Sequence, residues 1–408
     1  MVHLVDAAEA AAILRASDRV WISAASNEPA GLLTAWAAMA SQLPEDLTFV
    51  QFPIGGMNRQ DFTAWRDDLK QVTFFMTPDL RGADAKRLHF LPMHMRTVFD
   101  YLATQVDVAV TQVAYDADGV LRAGPNVDFL DAVLASSARV IAQLNPDIVA
   151  PPGGLRIAPE RISALVEIGG RLPELPPPVL DEVSIKIGQH VAELIRDGDC
   201  LQTGIGAIPA AILQQLQHCS DLGMHGGLID DGGQALIEAG NLTGARKEID
   251  RGMHVAGMGL GSQAFYTWLG QRRDVVLRGA NHTHEVSAIR QLSNFVSINS
   301  AVEIDLFGQV NAEVVGGRQI SGTGGSVDFM RAAKSSKGGR SIVAMTATAR
   351  GGELSRIVPQ VSMVTALRTD VDIVVTEFGV ARLANLPLQA RKEALIAVAD
   401  PRFRDQLA

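Results

Sequence analysis

Residues 201–212 read Leu-Gln-Thr-Gly-Ile-Gly-Ala-Ile-Pro-Ala-Ala-Ile, and this segment says most about the fold. An apolar strand end runs into two glycines spaced by one residue, and Pro209 then opens a helical pattern. Glycines at such a turn let backbone amides approach a ligand, and the N-terminus of the helix favours an anion. Because proline stands where the full G-x-G-x-x-G pattern needs a third glycine, the segment fits either a ligand-binding loop or an ordinary strand-to-helix turn.

Short β-rich runs alternate with longer helical patterns along the whole chain. Strands are predicted over 19–23, 47–52, 106–110 and 140–144, and helices over 183–196 and 388–399. The last helix is predicted to be amphipathic, with Leu388, Leu395, Ile396 and Ala399 on one face, and Asp400-Pro401 ends it. Alternation of strands and helices is typical of parallel α/β units, so the sequence predicts the α/β class.

Length and proline content indicate more than one domain. A chain of 408 residues is long enough for two or three domains at about 150 residues each. The proline cluster from Pro173 to Pro178 cannot continue a helix or a central strand. The predicted organisation is an N-terminal α/β domain over 1–172, a proline-rich linker over 173–180 and a C-terminal α/β domain over 181–408.

Composition excludes several classes of protein. The chain has 36 Lys and Arg against 45 Asp and Glu, a formal charge of −9, which argues against nucleic acid as a partner. Cys200 and Cys219 cannot build a disulfide framework and lack zinc-ligand spacing, which fits a reducing cytoplasm. Met1 to Ala12 has no signal-peptide pattern, and no apolar run reaches the ~20 residues of a membrane span. We therefore expect a cytoplasmic protein without a membrane segment.

A second glycine cluster is a candidate anion site. Residues 321–326 read Ser-Gly-Thr-Gly-Gly-Ser and precede a helix-like segment with Arg331 and Lys334. Backbone amides and nearby cations at such a place can hold a phosphate or stabilise an oxyanion. The following patch, Lys334 to Arg340, has three cations around two glycines and fits either a nucleotide phosphate or a solvated basic loop.

Three carboxylates stand in apolar or glycine-rich surroundings, where a pKa can be shifted: Asp231, Glu303 and Glu377. Each is a candidate acid, base or nucleophile, and each fits equally well as a helix cap or a strand-end acceptor. His282 and His284 stand one residue apart beside Glu285, and on an extended segment their side chains diverge. We therefore predict no metal site.

Together these segments resemble the acetyl-CoA hydrolase/transferase family, which includes the 4-hydroxybutyrate and succinyl CoA-transferases. The likeness covers nearly the whole chain, and its last block is highly specific. The segments that carry it are 106–110 with 116–119, 201–209, 295–313, 321–329, 336–339, 374–383 and 400–407.

The resemblance implies an enzyme of two CoA-transferase-type α/β domains with mostly parallel sheets, usually a homodimer or a dimer of dimers. Coenzyme A enters as an acyl-CoA thioester held between the domains, and a small carboxylic acid is the second substrate. A glutamate attacks the acyl-CoA carbonyl and forms a mixed anhydride. The CoA thiolate returns to give a glutamyl-CoA thioester, which a second carboxylic acid resolves.

The resemblance also assigns site residues position by position. It places Gly204, Ile205, Gly206 and Ala207 against CoA, and the amides of Gly322, Gly324 and Gly325 near the thioester. Asn281 matches the side-chain oxyanion donor. The phosphate end of CoA is expected near Lys337, Glu377 and Gly379. Alternatively, Lys337 is simply exposed to solvent and Glu377 has a purely structural role.

The chain departs from the family at the nucleophile. The family's glutamate lies in a Gly-Ile-His-Thr-Glu-Met segment, whereas residues 222–232 here read Leu-Gly-Met-His-Gly-Gly-Leu-Ile-Asp-Asp-Gly. Gly227 therefore occupies the place of the glutamate. Glycine has no side chain that can attack a thioester, so this position cannot form glutamyl-CoA.

Three hypotheses explain this departure. The leading one is hydrolysis of an acyl-CoA, at the thioester or at a C–C bond, with His225, Asp230 or Asp231 orienting the water. Alternatively, another carboxylate such as Glu303 acts as the nucleophile of a carboxylate CoA-transferase, or the chain is a non-catalytic acyl-CoA-binding subunit. The sequence leaves open the acyl group, the acceptor and any obligate partner subunit.

Overall fold

The computed structural model describes residues 3–175 and 177–408, which form two compact units. The first unit contains residues 3–175 and 256–281, and the second contains 177–255 and 282–408. Residues 256–281 thus pack with the N-terminal part of the chain although they follow the proline cluster. The division at 173–180 stays a prediction, and Pro176 within it lies outside the described residues.

The first unit is built on an eight-stranded sheet. Val108–Tyr115 is its longest strand, and Leu121–Ala123 pairs with it antiparallel. All other neighbours are parallel, which confirms the α/β class and the four strands predicted from this half. The seven parallel strands are, in spatial order, Leu88–Phe90, Lys70–Thr73, Thr48–Gln51, Arg19–Ile22, Val108–Tyr115, Arg139–Leu144 and Ala164–Glu167.

Both faces of this sheet are covered by helices. Along Arg19–Ile22, Val20 and Ile22 belong to one apolar cluster and Trp21 belongs to another. This burial on both faces explains why the strands read as nearly continuous apolar runs. The helices of this unit are Ala7–Ala11, Ala30–Ala38, Met95–Leu102, Leu130–Ser136 and Gln263–Leu269, with 3₁₀ turns at Ala25–Asn27, Ala40–Gln42, Phe62–Ala64, Pro78–Gly82 and Pro159–Arg161.

The second unit is built on a six-stranded sheet. Its first five strands are parallel, and the sixth, Gly379–Arg382, turns back antiparallel along the fifth. A small three-stranded sheet holds Glu303–Asp305 between Val310–Asn311 and Ile357–Val358. The five parallel strands in spatial order are Gly223–Met224, Cys200–Gln202, Phe295–Asn299, Arg340–Ala344 and Ile373–Thr376.

Helices, 3₁₀ turns and short strands make up the remaining elements. The longer helices of the second unit are Glu182–Ala192, Ala207–Gln214, Asp231–Glu238 and Ser326–Ser335, followed by Leu388–Ala397 near the C-terminus. Four-residue helices lie at Ala280–Thr283, Val286–Ile289 and Arg404–Leu407, with 3₁₀ turns at Leu216–His218, Arg350–Gly352 and Pro401–Phe403. The other strands are Leu228–Ile229, His254–Ala256, Met258–Gly259, Val275–Leu277, Val314–Val315, Arg318–Gln319, Thr348–Ala349 and Leu354–Ser355.

The C-terminal helix corrects one prediction. Leu395 and Ala399 are buried as predicted, but Leu388 is 54% exposed. Leu388 is the first residue of the helix, and side chains in a helix point toward its N-terminus. The side chain of Leu388 therefore extends beyond the part of the helix that packs on the core. The apolar face therefore begins about two turns later than the sequence pattern indicated.

No helix within residues 3–175 and 177–408 has the length and apolar content needed to cross a membrane. Cys200 and Cys219 are both buried free thiols.

A buried ion pair fixes the start of two strands in the second unit. Arg340 donates to the carboxylate of Asp199, whose side chain is 2% exposed, and to the carbonyl of Leu194 at 2.6 Å. Asp199→Asn leaves the guanidinium without its counter-charge, so we expect the free energy of unfolding to fall by about 3 kcal/mol in urea titrations. The exposed pair of Arg246 and Asp221 provides the control, since Asp221→Asn should cost less than about 1 kcal/mol. Equal losses in the two variants would contradict this assignment.

Candidate functional site

The candidate site lies at the carboxyl edge of the parallel sheet in the second unit. Cys200–Gln202 pairs in parallel with both Gly223–Met224 and Phe295–Asn299, so the loops that follow these strands begin at one edge. Asn299 donates to Gln202 across this edge at 3.1 Å. Ligands of open α/β sheets bind outside the carboxyl ends of the strands, and this edge carries two of the sequence-predicted segments.

The first segment is the loop at 203–206. Gly206 caps the helix Ala207–Gln214 with a φ of 123°, a conformation that favours glycine. Ile205 is 41% exposed, and Gly204 and Ala207 are partly exposed. The helix begins two residues before Pro209, because the first helical turn needs no backbone N–H from that position. This geometry presents backbone amides to solvent at a helix N-terminus.

The second segment is the glycine pair at 226–227, which follows Gly223–Met224. Neither glycine has a positive φ, so the backbone conformation does not require glycine there. Space is what restricts them. A Cβ atom at Gly226 would lie 3.0 Å from Cγ of Gln202, and one at Gly227 would lie 3.2 Å from both Cε1 and Nε2 of His284.

His284 fills the space in front of Gly227. The residue is 1% exposed, and its ring lies 4.4 Å, centroid to centroid, from that of Phe329. Nδ1 lies 2.8 Å from Oγ1 of Thr283, the one hydrogen bond recorded for this ring, so among the described residues Nε2 has no hydrogen-bond partner. Burial lowers the pKa of His284 to about 3, which keeps the imidazole neutral at physiological pH.

The glycine cluster at 321–326 packs against the same ring through Gly325. A Cβ atom at Gly325 would lie 2.4 Å from Nε2 of His284, so only glycine fits beside the imidazole. Gly325 caps the helix Ser326–Ser335, and Gly324 has a φ of 57°. The structure thus brings the predicted residues Gly324 and Gly325 together with Gly227. Gly322, at the start of the cluster, is buried.

Most cations that the sequence singled out near this cluster are bound to carboxylates. Lys334 lies 2.6 Å from Asp372 and Arg331 lies 3.3 Å from Asp370. Arg340 is held by Asp199, as described above. Lys337 is exposed, and its backbone carbonyl accepts from the N–H of Asn294. Of the four cations, Lys337 is therefore the one best placed to meet a ligand phosphate.

A histidine cluster lies next to Gly226. His282 is 2.8 Å from the carboxylate of Asp250, and a ligand atom of each of His225, Asp250 and His282 lies within 4.8 Å of the others. Such a donor set can hold a transition metal. However, the buried ammonium of Lys247 is close enough to lower the pKa of His225, and a cation there opposes a second one. The absence of a metal stays a prediction.

His225 is buried within this cluster. Its Nε2 lies 3.2 Å from the carbonyl of His282, and its Nδ1 is enclosed with no hydrogen-bond partner. Burial, together with the charges of Lys247 and His282, lowers its pKa to about 3. The prediction that 282–284 is extended is wrong, because His282 ends up in the short helix Ala280–Thr283. The two histidine side chains nevertheless diverge, to Asp250 and to Thr283.

The other predicted catalytic residues lie in ordinary structural positions. Asp230 caps the helix Asp231–Glu238 by accepting from Gly233 at 3.0 Å, and burial raises its pKa. Asp231 is the first residue of that helix. Glu303 begins a strand and accepts from Asn311 at 3.2 Å. Asn281 is exposed and belongs to the first unit.

Glu377 lines a separate cleft of the second unit, with a volume of about 590 Å³, and Gly379 follows Glu377 two residues later in the chain. Glu377 follows Ile373–Thr376 and accepts from the backbone N–H of Ala347 at 2.8 Å, which is the strand-end position the sequence allowed. Gly379 has a φ of 136° at the tight turn into the last strand. The cleft also contains three cations that sequence reasoning missed, since they are far apart in the chain: Lys186, Arg350 and Arg356.

The first unit contains two buried carboxyl groups. Glu28 accepts from Gln51 at 2.9 Å, and burial raises its pKa to about 7. Asp128 lines a pocket with Trp21 and Phe129, and burial raises its pKa to about 8. In the folded protein at neutral pH, Asp128 is therefore largely protonated and Glu28 about half protonated, and a protonated carboxyl group can donate a hydrogen bond.

Comparison with known proteins identifies the class of enzyme. The N-terminal domain of the acetyl-CoA hydrolase/transferase family matches residues 2–152, and the C-terminal domain of that family matches residues 261–408. The chain belongs to this family and is one of its enzymes. Family members are CoA-transferases and acetyl-CoA hydrolases, so the chain acts on acyl-CoA.

Individual relatives agree with this placement. The 4-hydroxybutyrate coenzyme A transferase of Clostridium kluyveri is 37% identical over 358 residues, 87% of this chain and 79% of that protein. The acetyl-CoA hydrolase of Candida albicans is 31% identical over 273 residues, 62% of this chain and 49% of the hydrolase. Among solved structures, RipA from Yersinia pestis superposes with a TM-score of 0.90 at 28% identity, covering 99% of this chain and 95% of RipA.

The contact between Gly325 and His284 leads to a stability prediction. Gly325→Ala forces the imidazole to move, and overpacking of this kind costs about 1–3 kcal/mol. Gly227→Ala, whose Cβ contact is 3.2 Å, should cost less. Urea titration measures both, with Gly82→Ala as the control because a Cβ there meets nothing within 4 Å. In the double variant with His284→Ala the cost at 325 should largely disappear, and additive losses would contradict the contact.

The buried carboxyl of Asp128 gives stability a dependence on pH. Its pKa is about 8 in the folded state and 3.8 ordinarily, so between these values the folded state binds a proton that the unfolded state releases. This contribution to stability therefore falls as pH rises through that window. The side chain of the Asp128→Asn variant has no such proton. We therefore expect the difference in the free energy of unfolding, variant minus native protein, to rise from pH 5 to pH 8. A difference independent of pH would contradict the burial of a protonated carboxyl.

Proposed function

We propose that the chain hydrolyses an acyl-CoA thioester directly, without a glutamyl-CoA intermediate. The observation that carries this proposal is the centre of the site, where Gly227 offers no carboxylate and a neutral imidazole occupies the adjoining space. By resemblance, position 227 is the place of the family's nucleophile. With no side chain there to carry an acyl group or CoA, water is the simplest acceptor.

The proposed CoA contacts follow the glycine loops. Gly204, Ile205, Gly206 and Ala207 present amides at a helix N-terminus, a setting that binds anionic groups. Gly325 lies beside the imidazole, with Gly322 and Gly324 in the same loop, and in this proposal the N–H groups of the three glycines stabilise the oxyanion of a tetrahedral intermediate. In this proposal Asn281 adds a side-chain donor.

The phosphate end of CoA is proposed to lie near Lys337, Glu377 and Gly379. Support comes from the exposed ammonium of Lys337 and from the cations in the cleft that Glu377 lines. A cytoplasmic location, a homodimer or dimer of dimers, and catalysis without a metal remain part of the proposal. Hydrolysis of a C–C bond in a cyclic acyl-CoA uses the same attacking water and is a variant of it.

Two other functions compete. Glu303 as the nucleophile would make the chain a carboxylate CoA-transferase, and intact loops without a nucleophile would suit a non-catalytic acyl-CoA-binding subunit. The carboxylate of Glu303 is already bonded to Asn311 and starts a strand of the small sheet. That position favours a structural role for Glu303.

The deciding experiment incubates the purified protein with a panel of acyl-CoAs, in water alone and with acetate. We expect thiol release in water alone, no dependence on acetate, and no CoA or acyl adduct on the protein by mass spectrometry. Glu303→Gln should keep the rate within about twofold, because the carboxylate takes no part in the reaction. An adduct on Glu303, with turnover only in acetate, would overturn the proposal in favour of a transferase. Tight acyl-CoA binding without turnover would overturn it in favour of a binding subunit.

A further inference from the structure

We infer that His284 is the general base of this site and takes the proton from the attacking water at Nε2. The inference rests on the proposed hydrolysis and names the residue that performs it. Three observations carry it: the position of the ring between two glycines, the hydrogen bond that orients it, and the surroundings of His225 and Asp230.

Position is the first observation. Nε2 lies 2.4 Å from where a Cβ atom of Gly325 would be and 3.2 Å from where one of Gly227 would be. Both neighbours lack side chains, so the groups around Nε2 on these two sides are backbone. Nε2 therefore lies 3.2 Å from the point where the side chain of residue 227 would start, next to the amides proposed to bind the oxyanion.

Orientation is the second observation. Nδ1 of His284 and Oγ1 of Thr283 are 2.8 Å apart, and Thr283 is fully buried. In the tautomer that this role requires, Nδ1–H donates to the threonine oxygen and Nε2 carries the lone pair. Phe329 packs against the ring and holds its plane.

The surroundings of His225 and Asp230 are the third observation. Nδ1 of His225 has no contact with solvent, and its Nε2 lies beside a backbone carbonyl. The carboxylate of Asp230 caps a helix. Each of the two buried histidines, His225 and His284, thus has one ring nitrogen without a hydrogen-bond partner among the described residues, and the one that faces Gly227 and Gly325 is Nε2 of His284.

The proposed step balances in atoms and charge. Nε2 accepts a proton from water while the water oxygen bonds to the thioester carbonyl carbon, and the carbonyl becomes an oxyanion. The oxyanion collapses, the carbon–sulfur bond breaks, and its electron pair leaves with the sulfur of CoA. The proton on Nε2 passes to that sulfur, which gives the carboxylic acid and the CoA thiol.

The test measures hydrolysis by His284→Gln, which preserves most of the side-chain volume, and by His284→Ala, which empties the space. Loss of general base catalysis lowers rates by about 10²–10⁴-fold, so we expect kcat to fall at least about 100-fold while KM changes less than about threefold. Added imidazole should restore activity to His284→Ala, whose cavity admits it, and not to His284→Gln. His218→Asn, an exposed histidine, is the control and should keep full activity.

Thr283 provides a second test, as a positioning residue. Thr283→Val removes the acceptor for Nδ1–H and should lower kcat about tenfold or more, whereas Thr283→Ser keeps the oxygen and should keep most of kcat. This pair decides the matter even if His284→Ala does not fold.

Several outcomes would overturn the inference. Hydrolysis by His284→Gln within about threefold of the native rate would do so, as would equal rates for the valine and serine variants at 283. An acylated His284 peptide would show a nucleophile instead of a base. If the native protein releases no CoA in water, the proposed function fails, and that result is distinct from an active enzyme whose His284 variants stay active.

Discussion

Parallel pairing of strands that are distant in sequence is the constraint on which the candidate site depends. Cys200–Gln202 hydrogen-bonds to Gly223–Met224 on one side and to Phe295–Asn299 on the other, in parallel on both sides. Parallel strands end at a common edge, so the loops after residues 202 and 224 meet there without any contact between their side chains. The pairing thereby places a helix N-terminus beside a glycine pair. Backbone hydrogen bonds align this edge, and the side chains of Asn299 and Gln202 add a hydrogen bond across it.

Space around one imidazole is the second constraint. Gly227 and Gly325 have backbone conformations open to other residues, yet a methyl group at either would press against His284. Glycine at these positions therefore reflects close packing against the ring and not a turn. Gly206 and Gly324 are different, since their positive φ values favour glycine whatever surrounds them.

Much of the fold could be predicted, because its signals are local. Apolar runs such as 140–144 and the strand-to-helix turn at 201–212 depend on neighbours in the sequence. The exposure of Leu388 could not be predicted in the same way, because it depends on where the apolar core ends beneath the C-terminal helix. The packing of residues 256–281 with the first unit likewise depends on tertiary contacts, and no local sequence pattern predicts it.

The candidate site was predictable only in part. The glycine loops and the missing carboxylate at 227 are visible in the sequence, but the role of His284 is not. In the sequence, the spacing of His284 from His282 raised only the possibility of metal binding. The folded structure is needed to place its ring between two glycines that lie about 100 residues apart in the chain. Arg331, Lys334 and Arg340 illustrate the reverse case. The sequence presents them as free cations, whereas folding pairs each with an aspartate.

The contact between His284 and position 227 also limits the paths that mutation can take. A glutamate introduced at 227 would extend into the ring, and its Cβ atom alone would already be in tight contact. Shrinking the histidine first would remove the neutral imidazole and open a cavity, which is costly in a packed interior. Each single substitution is thus disfavoured while the partner residue stays, and the two positions are epistatic. A carboxylate at 227 is therefore accommodated best when residue 284 changes as well.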